Sequence, residues 1–229
     1  MSRHNYFVHP LCRKETFMKL FDPNSAVSRF LSRIGDLMLL NLLYILCCLP
    51  FFTIGASTAA MHYVTLRIQR EQDNGIIRDF FHSFRQNFKQ GILIHLLLTV
   101  GLIVLALDLY ILWSLWDYDT VFKILFIILS ILSLWFIGIC LFIYPLLAQF
   151  NNTIRGFLKS ARYMTLKHRS YCCAIILVNL APWIVGLYVS YILEWLIFFY
   201  LLIGFAVTAR FTSRYFAEIF KRYTEPENT

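Results

Sequence analysis

The stretch that decides the fold reads GILIHLLLTVGLIVLALDLYILWSLW at residues 91–116, DYDT at 117–120 and VFKILFIILSILSLWFIGICLFIYPLLA at 121–148. It holds one basic residue, Lys123, and its acids are Asp108, Asp117 and Asp119. A run of about 20 apolar residues spans a bilayer. The stretch is therefore long enough for two membrane helices, broken at Trp116–Thr120 by the acidic linker. On either side of it the charge changes sign. The other 20 of the 21 Lys and Arg residues sit in four polar stretches, 1–33, 67–90, 149–170 and 210–229, with 6, 5, 5 and 4 apiece. Insertion retains Lys and Arg on the cytoplasmic side, so all four stretches are expected there, with both termini inside.

Successive basic stretches must then be separated by an even number of crossings. Gly91–Ala148 supplies two. Tyr171–Ala209 supplies two more, with Glu194 expected at the outer turn. Ile34–Leu66 offers only 33 residues, where two full spans want about 40, and Pro50 and Gly55 cut it in the middle. Either two short spans meet in a tight turn there, or the Pro50–Thr58 segment is re-entrant. Non-helical backbone survives at membrane depth only where protein covers it or water fills the site. The expected fold is all-α: a polytopic helical membrane protein with about six crossings, five if Pro50–Thr58 is re-entrant. Its segments are a cytoplasmic stretch 1–33, a first hairpin 34–66, a cytoplasmic amphipathic helix 67–90, a second hairpin 91–148, a second amphipathic helix 149–170, a third hairpin 171–209 and a cytoplasmic basic tail 210–229.

Composition agrees, with 59% hydrophobic and 15% charged residues. The net charge of +8 flanks the apolar runs, which points to an anionic inner leaflet and not to nucleic acid. The first 30 residues lack an apolar core ending in a small-residue cleavage site, so the first span is expected to act as the targeting signal. The six cysteines, Cys12, Cys47, Cys48, Cys140, Cys172 and Cys173, form no CxxC pair. They indicate neither a zinc site nor a disulfide framework and read as small apolar packing residues.

Each apolar pair is followed by an amphipathic segment. In the first, Ile76, Ile77, Phe80, Phe81, Phe84 and Phe88 recur at helical spacing opposite Arg78, Asp79, His82, Arg85 and Gln86. In the second, Ile154, Phe157, Leu158, Ala161 and Met164 oppose Arg155, Lys159 and Arg162. In the third, Phe211, Tyr215, Phe216, Ile219, Phe220 and Tyr223 oppose Arg210, Arg214 and Glu218. Such helices lie in the interface with rings toward the acyl chains, or form a docking surface. Phe80, Phe84 and Phe88 are the candidate partner or interface contacts.

An ionisable residue at bilayer depth is a functional candidate by default. Asp36 falls at the inner interface, three residues past Arg33. Asp108 lies roughly 25 Å along a helix from Gly91 at 1.5 Å per residue, near the outer interface, and His95 is about one turn inside. The deep polar residues are Asn41, Ser130, Ser133 and Asn179, with Pro182 near the last. Asn and Ser in spans commonly hydrogen-bond neighbouring helices. The sharper reading groups Asn41, Thr53, Gly55, Ser57 and Asn179 as a polar pocket or helix–helix contact, the small residues allowing close backbone approach. No Walker loop, HExxH, GxSxG or carboxylate pair at active-site spacing occurs. Catalytic, metal and cofactor sites are expected to be absent.

Several phrases occur in order: Phe21-Asp22-Pro23-Asn24, Arg29-Phe30-Leu31, Asp36-Leu37-Met38-Leu39-Leu40-Asn41, Leu49-Pro50, Thr53-Ile54-Gly55-Ala56, Ala59-Ala60-Met61-His62-Tyr63, Asp79-Phe80-Phe81 and Phe84-Arg85-Gln86-Asn87-Phe88. Over this first third the chain resembles the YesL family, integral membrane proteins found mainly in Firmicutes. It departs at Cys47-Cys48, where a pair such as Phe-Ser is expected. The resemblance implies a multi-pass protein of a bacterial cell membrane. Its members are often encoded beside carbohydrate ABC importers, sugar-degrading enzymes or sensor–regulator pairs. The expected function is accordingly an accessory or scaffold component associated with carbohydrate uptake or membrane sensing. Its partners would be the lipid bilayer and a carbohydrate ABC importer or membrane sensor kinase. The alternative is a small-solute transporter or channel. An ABC permease subunit ranks low, because Asn152–Leu166 lacks the acidic start and spacing of an ATPase-docking loop.

Overall fold

The computed structural model describes residues 26–72 and 74–224. Cys12, the Phe21–Asn24 phrase, most of the first basic stretch and the last five residues of the tail lie outside the described residues. Helix α1 (Ala26–Cys48) leads through a 3-10 turn (Phe51–Thr53) into α2 (Ile54–Gln69). There follow α3 (Ile76–Ser114), α4 (Thr120–Gln149), α5 (Ile154–Lys167), α6 (Arg169–Tyr188) and α7 (Ser190–Phe199). A π-helical turn (Tyr200–Gly204) carries α7 into α8 (Phe205–Thr224). No strand occurs among the described residues. Five helical stretches are long and apolar enough to cross a membrane: Val27–Cys48, Ile76–Ser114, Thr120–Gln149, Arg169–Tyr188 and Tyr191–Lys221. They suggest a multi-pass membrane protein.

Helix α2 is not among the five. Its 16 residues are mostly small or mixed in polarity, and none from Thr53 to Ile68 is exposed. It packs against α1, α3, α4 and α8. A helix covered by protein on every side needs no lipid-compatible surface, so its hydropathy stays modest while its burial is the deepest in the fold. Gly55 and Gly91 let it approach α3. A Cβ at Gly91 would stand 2.8 Å from both N and Cα of Ala56, and one at Gly55 would collide with the Gly91 carbonyl.

The buried residues form two clusters around α2. One holds Leu40, Ala60, Met61, Val64, Phe80, Ala206 and Ala209. The other holds Leu66, Ile94, Phe142, Phe157, Ala161, Phe216 and Phe220. Between Leu98 and Gly138 no residue is buried. The far halves of α3 and α4 instead expose Val100, Ile103, Leu107, Ile111, Ile124, Ile128 and Ile131, the surface expected of a lipid-facing hairpin.

Three expectations change. The 67–90 segment is not a separate helix: its Phe-rich part forms the first turns of the 39-residue α3, since neither Gly nor Pro interrupts residues 76–90 and the helix runs on through Gly91. The third amphipathic segment likewise continues the last span through the π-helical turn. Glu194 lies inside α7, and the break falls at Val189, whose φ of −126° and ψ of 96° are extended. The Trp116–Thr120 linker joins α3 to α4 where expected.

Candidate functional site

The turn between α1 and α2 explains three of the polar candidates. A residue before proline is pushed out of the helical region, so α1 stops ahead of Pro50. Its last carbonyls lose their intrahelical partners, which is costly at membrane depth. Thr53 Oγ1 donates to the carbonyls of Cys47 at 2.6 Å and Pro50 at 2.7 Å, and Ser57 Oγ donates to Cys47 O at 3.0 Å. Gly55 supplies the close approach to α3. The tip of the turn rests on α3, with the Phe51 ring centroid 5.2 Å from that of His95.

Asn41 works elsewhere. It is fully buried and faces the π-helical turn of the last span. A π-helical turn leaves backbone groups out of the ordinary ladder, and Asn41 takes them up. Its Nδ2 donates to Tyr200 O at 3.1 Å and Leu201 O at 2.9 Å, while Oδ1 accepts from Ala206 N at 3.1 Å. One amide thereby ties α1 to the last span. Asn179 Nδ2 donates within its own helix, to Ile175 O at 2.8 Å. Ser130 and Ser133 do the same, bonding Phe126 O and Leu129 O.

The structure does not bring Asn41, Thr53, Gly55, Ser57 and Asn179 together in one pocket. A chamber of about 340 Å³ is lined by Asn179 together with Tyr44, Thr58, His62, Cys140, Tyr144, Thr208 and Thr212, among apolar neighbours. Asn41, Thr53, Gly55 and Ser57 are not among its lining residues. His62 also meets Phe216 edge to face at 5.8 Å, and its Nδ1 is buried without a protein partner. His62 is not among the candidate residues singled out by the sequence patterns above. Its spacing from Thr58 and Thr65 on one face of α2 was the available signal.

The Phe candidates divide. Phe80 is fully buried and packs on α2, because the apolar stripe of this segment meets the protein's own core and not lipid. The same holds for Phe157, Ala161, Phe216, Ile219 and Phe220. Phe84 and Phe88 are half-buried and line a groove of about 640 Å³ with Arg85, Gln86, Lys89, Gln90, Asn151 and Asn152. Gln86 Nε2 donates to Asn151 Oδ1 at 3.1 Å and Gln90 Nε2 to Asn152 O at 3.3 Å, fastening α3 to the α4–α5 connection. Asp79, assigned above to the polar face, is buried. Its Oδ2 lies 3.3 Å from Arg67 Nε and accepts from Asn74 N at 3.1 Å, while Arg67 Nε also donates to Gln72 O at 2.9 Å. This cluster pins the α2–α3 turn. Among the described residues no group of three or more His, Cys, Asp and Glu could hold a metal ion.

No curated protein and no solved structure matches the chain. A family model described as "Protein of unknown function, DUF624" matches residues 37–109, which take in most of α1, the Pro50 turn, all of α2 and α3 as far as Leu107-Asp108-Leu109.

Proposed function

We propose that this chain is an accessory component of a bacterial cell membrane, with its basic stretches and both termini cytoplasmic, and that it docks a partner at the groove along α3. YesL-family proteins carry the matched domain, so their gene surroundings point to a carbohydrate ABC importer or a membrane sensor kinase as that partner. The proposal assigns no catalytic chemistry and no cofactor. The groove is the observation that carries it. Arg85 and Lys89 are exposed beside the half-buried rings of Phe84 and Phe88, a combination suited to an acidic segment with an apolar anchor. Mild-detergent copurification at native expression level tests it. The unaltered chain brings down importer or kinase subunits stoichiometrically, and Arg85→Glu with Lys89→Glu loses them while remaining folded. Equal recovery by the double variant, or recovery of the chain alone, would sink the reading.

The topology that fits best has four complete crossings, in place of six. The α1–α2 turn ends beside His95, yet α3 runs 19 residues farther, to Ser114. That is roughly 28 Å at 1.5 Å per residue, close to a hydrocarbon core of about 30 Å. On this reading α3, α4, α6 and α7–α8 cross, and the α1–α2 hairpin enters and returns on the cytoplasmic side. Five crossings would strand one basic stretch outside. A second functional reading, a small-solute carrier, is favoured by the polar chamber, and proteoliposome flux tests it.

A further inference from the structure

The donors lining the chamber are largely spent on the protein itself. Thr58 Oγ1 donates to Ile54 O at 2.7 Å, so the 3.5 Å contact with Tyr44 has the Tyr44 hydroxyl as donor. Thr208 Oγ1 donates to Gly204 O and Phe205 O, both at 3.0 Å. Thr212 Oγ1 donates to Thr208 O at 3.0 Å and Ala209 O at 3.1 Å. Asn179 spends one of its two N–H groups on Ile175 O. A hydroxyl has two acceptor lone pairs and one hydrogen, so the chamber offers mainly acceptors.

The charge balance narrows the ligand. No Asp, Glu, Lys or Arg occurs among the chamber's lining residues, so a full charge inside would lack a counter-ion. The rest of the wall is apolar, including Met61, Leu141, Phe205 and Phe216. Its volume of about 340 Å³ lies at the small end of ligand pockets, which run from about 300 to 1,000 Å³. We propose that this chamber binds a small uncharged molecule with an apolar body, whose hydroxyl hydrogen is accepted by an oxygen of Thr208, Thr212 or Asn179. This gives the ligand class for the carrier reading and is independent of the groove. A chain that binds without flux ends the carrier reading and leaves the site standing.

The test uses the full chain in phosphatidylcholine nanodiscs and tritiated 2-naphthol, a neutral aromatic alcohol, with scintillation-proximity detection. The expected result is saturable binding, one probe per chain, above empty discs. The competitor 2-methoxynaphthalene, which has the ring but no hydroxyl hydrogen, should fail to displace the probe. Thr208→Val with Thr212→Val, which removes acceptors at nearly constant volume, should weaken binding about tenfold, the scale of one lost hydrogen bond. Binding no greater than in empty discs, equal competition by the methoxy compound, or unchanged binding by a folded double variant would each overturn the proposal. The competition needs no substitution, so it decides even if the variant does not fold.

Discussion

Asn41→Leu tests the most specific contact in the fold. The substitution keeps the side-chain volume close to constant and deletes three hydrogen bonds, to Tyr200 O, Leu201 O and Ala206 N. Interhelical hydrogen bonds in membranes average about 0.6 kcal/mol and reach about 1.7, so three give about 2–5 kcal/mol. The upper part of that range is favoured here, because Asn41 is fully buried and water cannot replace it. For a chain of this size each kcal/mol moves a melting midpoint by about 2–4 °C, so a loss of about 4 kcal/mol lowers it by about 8–16 °C. The assay is the fraction of monodisperse protein left after heating in detergent, read by size exclusion. The control is Asn179→Leu, which loses a bond confined to its own helix and should shift the midpoint by less than about 2 °C on the same scale. Asn41→Asp should also destabilise, since a carboxylate keeps the acceptor for Ala206 N–H but faces two carbonyl oxygens. If Asn41→Leu melts with Asn179→Leu, the clamp is not what holds the π-helical turn to α1.

Three further outcomes follow from the packing. Gly91→Val should separate α2 from α3 and cost more than the roughly 1–3 kcal/mol of ordinary overpacking, because the obstructing atoms are the Ala56 backbone; an unchanged melting midpoint contradicts the close approach. Asp79→Asn should destabilise by less than the roughly 3–5 kcal/mol of a fully buried pair, since Arg67 keeps 24% of its side chain exposed, and should speed proteolytic nicking between Arg70 and Gly75; no change in nicking removes the pinning role. In a chain whose native cysteines are Ser, Tyr118→Cys should react with a membrane-impermeant maleimide outside intact cells and Phe52→Cys should not. Labelling of Phe52→Cys from outside restores six crossings.

Helices with a lipid-facing surface were legible in the sequence because bilayer exposure imposes a long apolar run, as at Gly91–Trp116 and Thr120–Ala148. The Pro50 break was legible for a local reason, the steric restriction that proline places on its neighbour. Helix α2 was harder to place, since hydropathy reports contact with lipid and α2 has almost none. The polar candidates were found by residue type and depth, which cannot say whom a side chain meets. Asn41 and Asn179 looked alike, yet one bonds across 159 to 165 residues of sequence and the other reaches one turn back. Only the tertiary fold separates a clamp from a self-satisfied amide. Phe80 departs from its expected role for a related reason: a 3.6-residue stripe shows that a face is buried, not whether lipid, partner or the chain's own α2 covers it.

The uneven burial ties these pieces together. Every buried residue of α3 and α4 lies at or before Leu98 or at or after Gly138, so the protein's own core occupies the end where the basic stretches also sit. At the opposite end the helices are joined by short turns and by ring contacts such as Trp113 with Trp116 and Phe126. Packing is therefore concentrated around α2, and the far halves of α3 and α4 have little of the protein's own core to hold them. Low local contact density is the property of segments that open first. The chamber lies at the boundary between these regions. Leu102 in its wall belongs to the loosely packed half of α3, while Met61 belongs to the covered helix. A ligand entering there would meet a fixed floor on α2, α4, α6 and α8 and a yielding wall at Leu102 of α3. Lipid thickness should then tune access to the chamber more than it tunes the stability of the core.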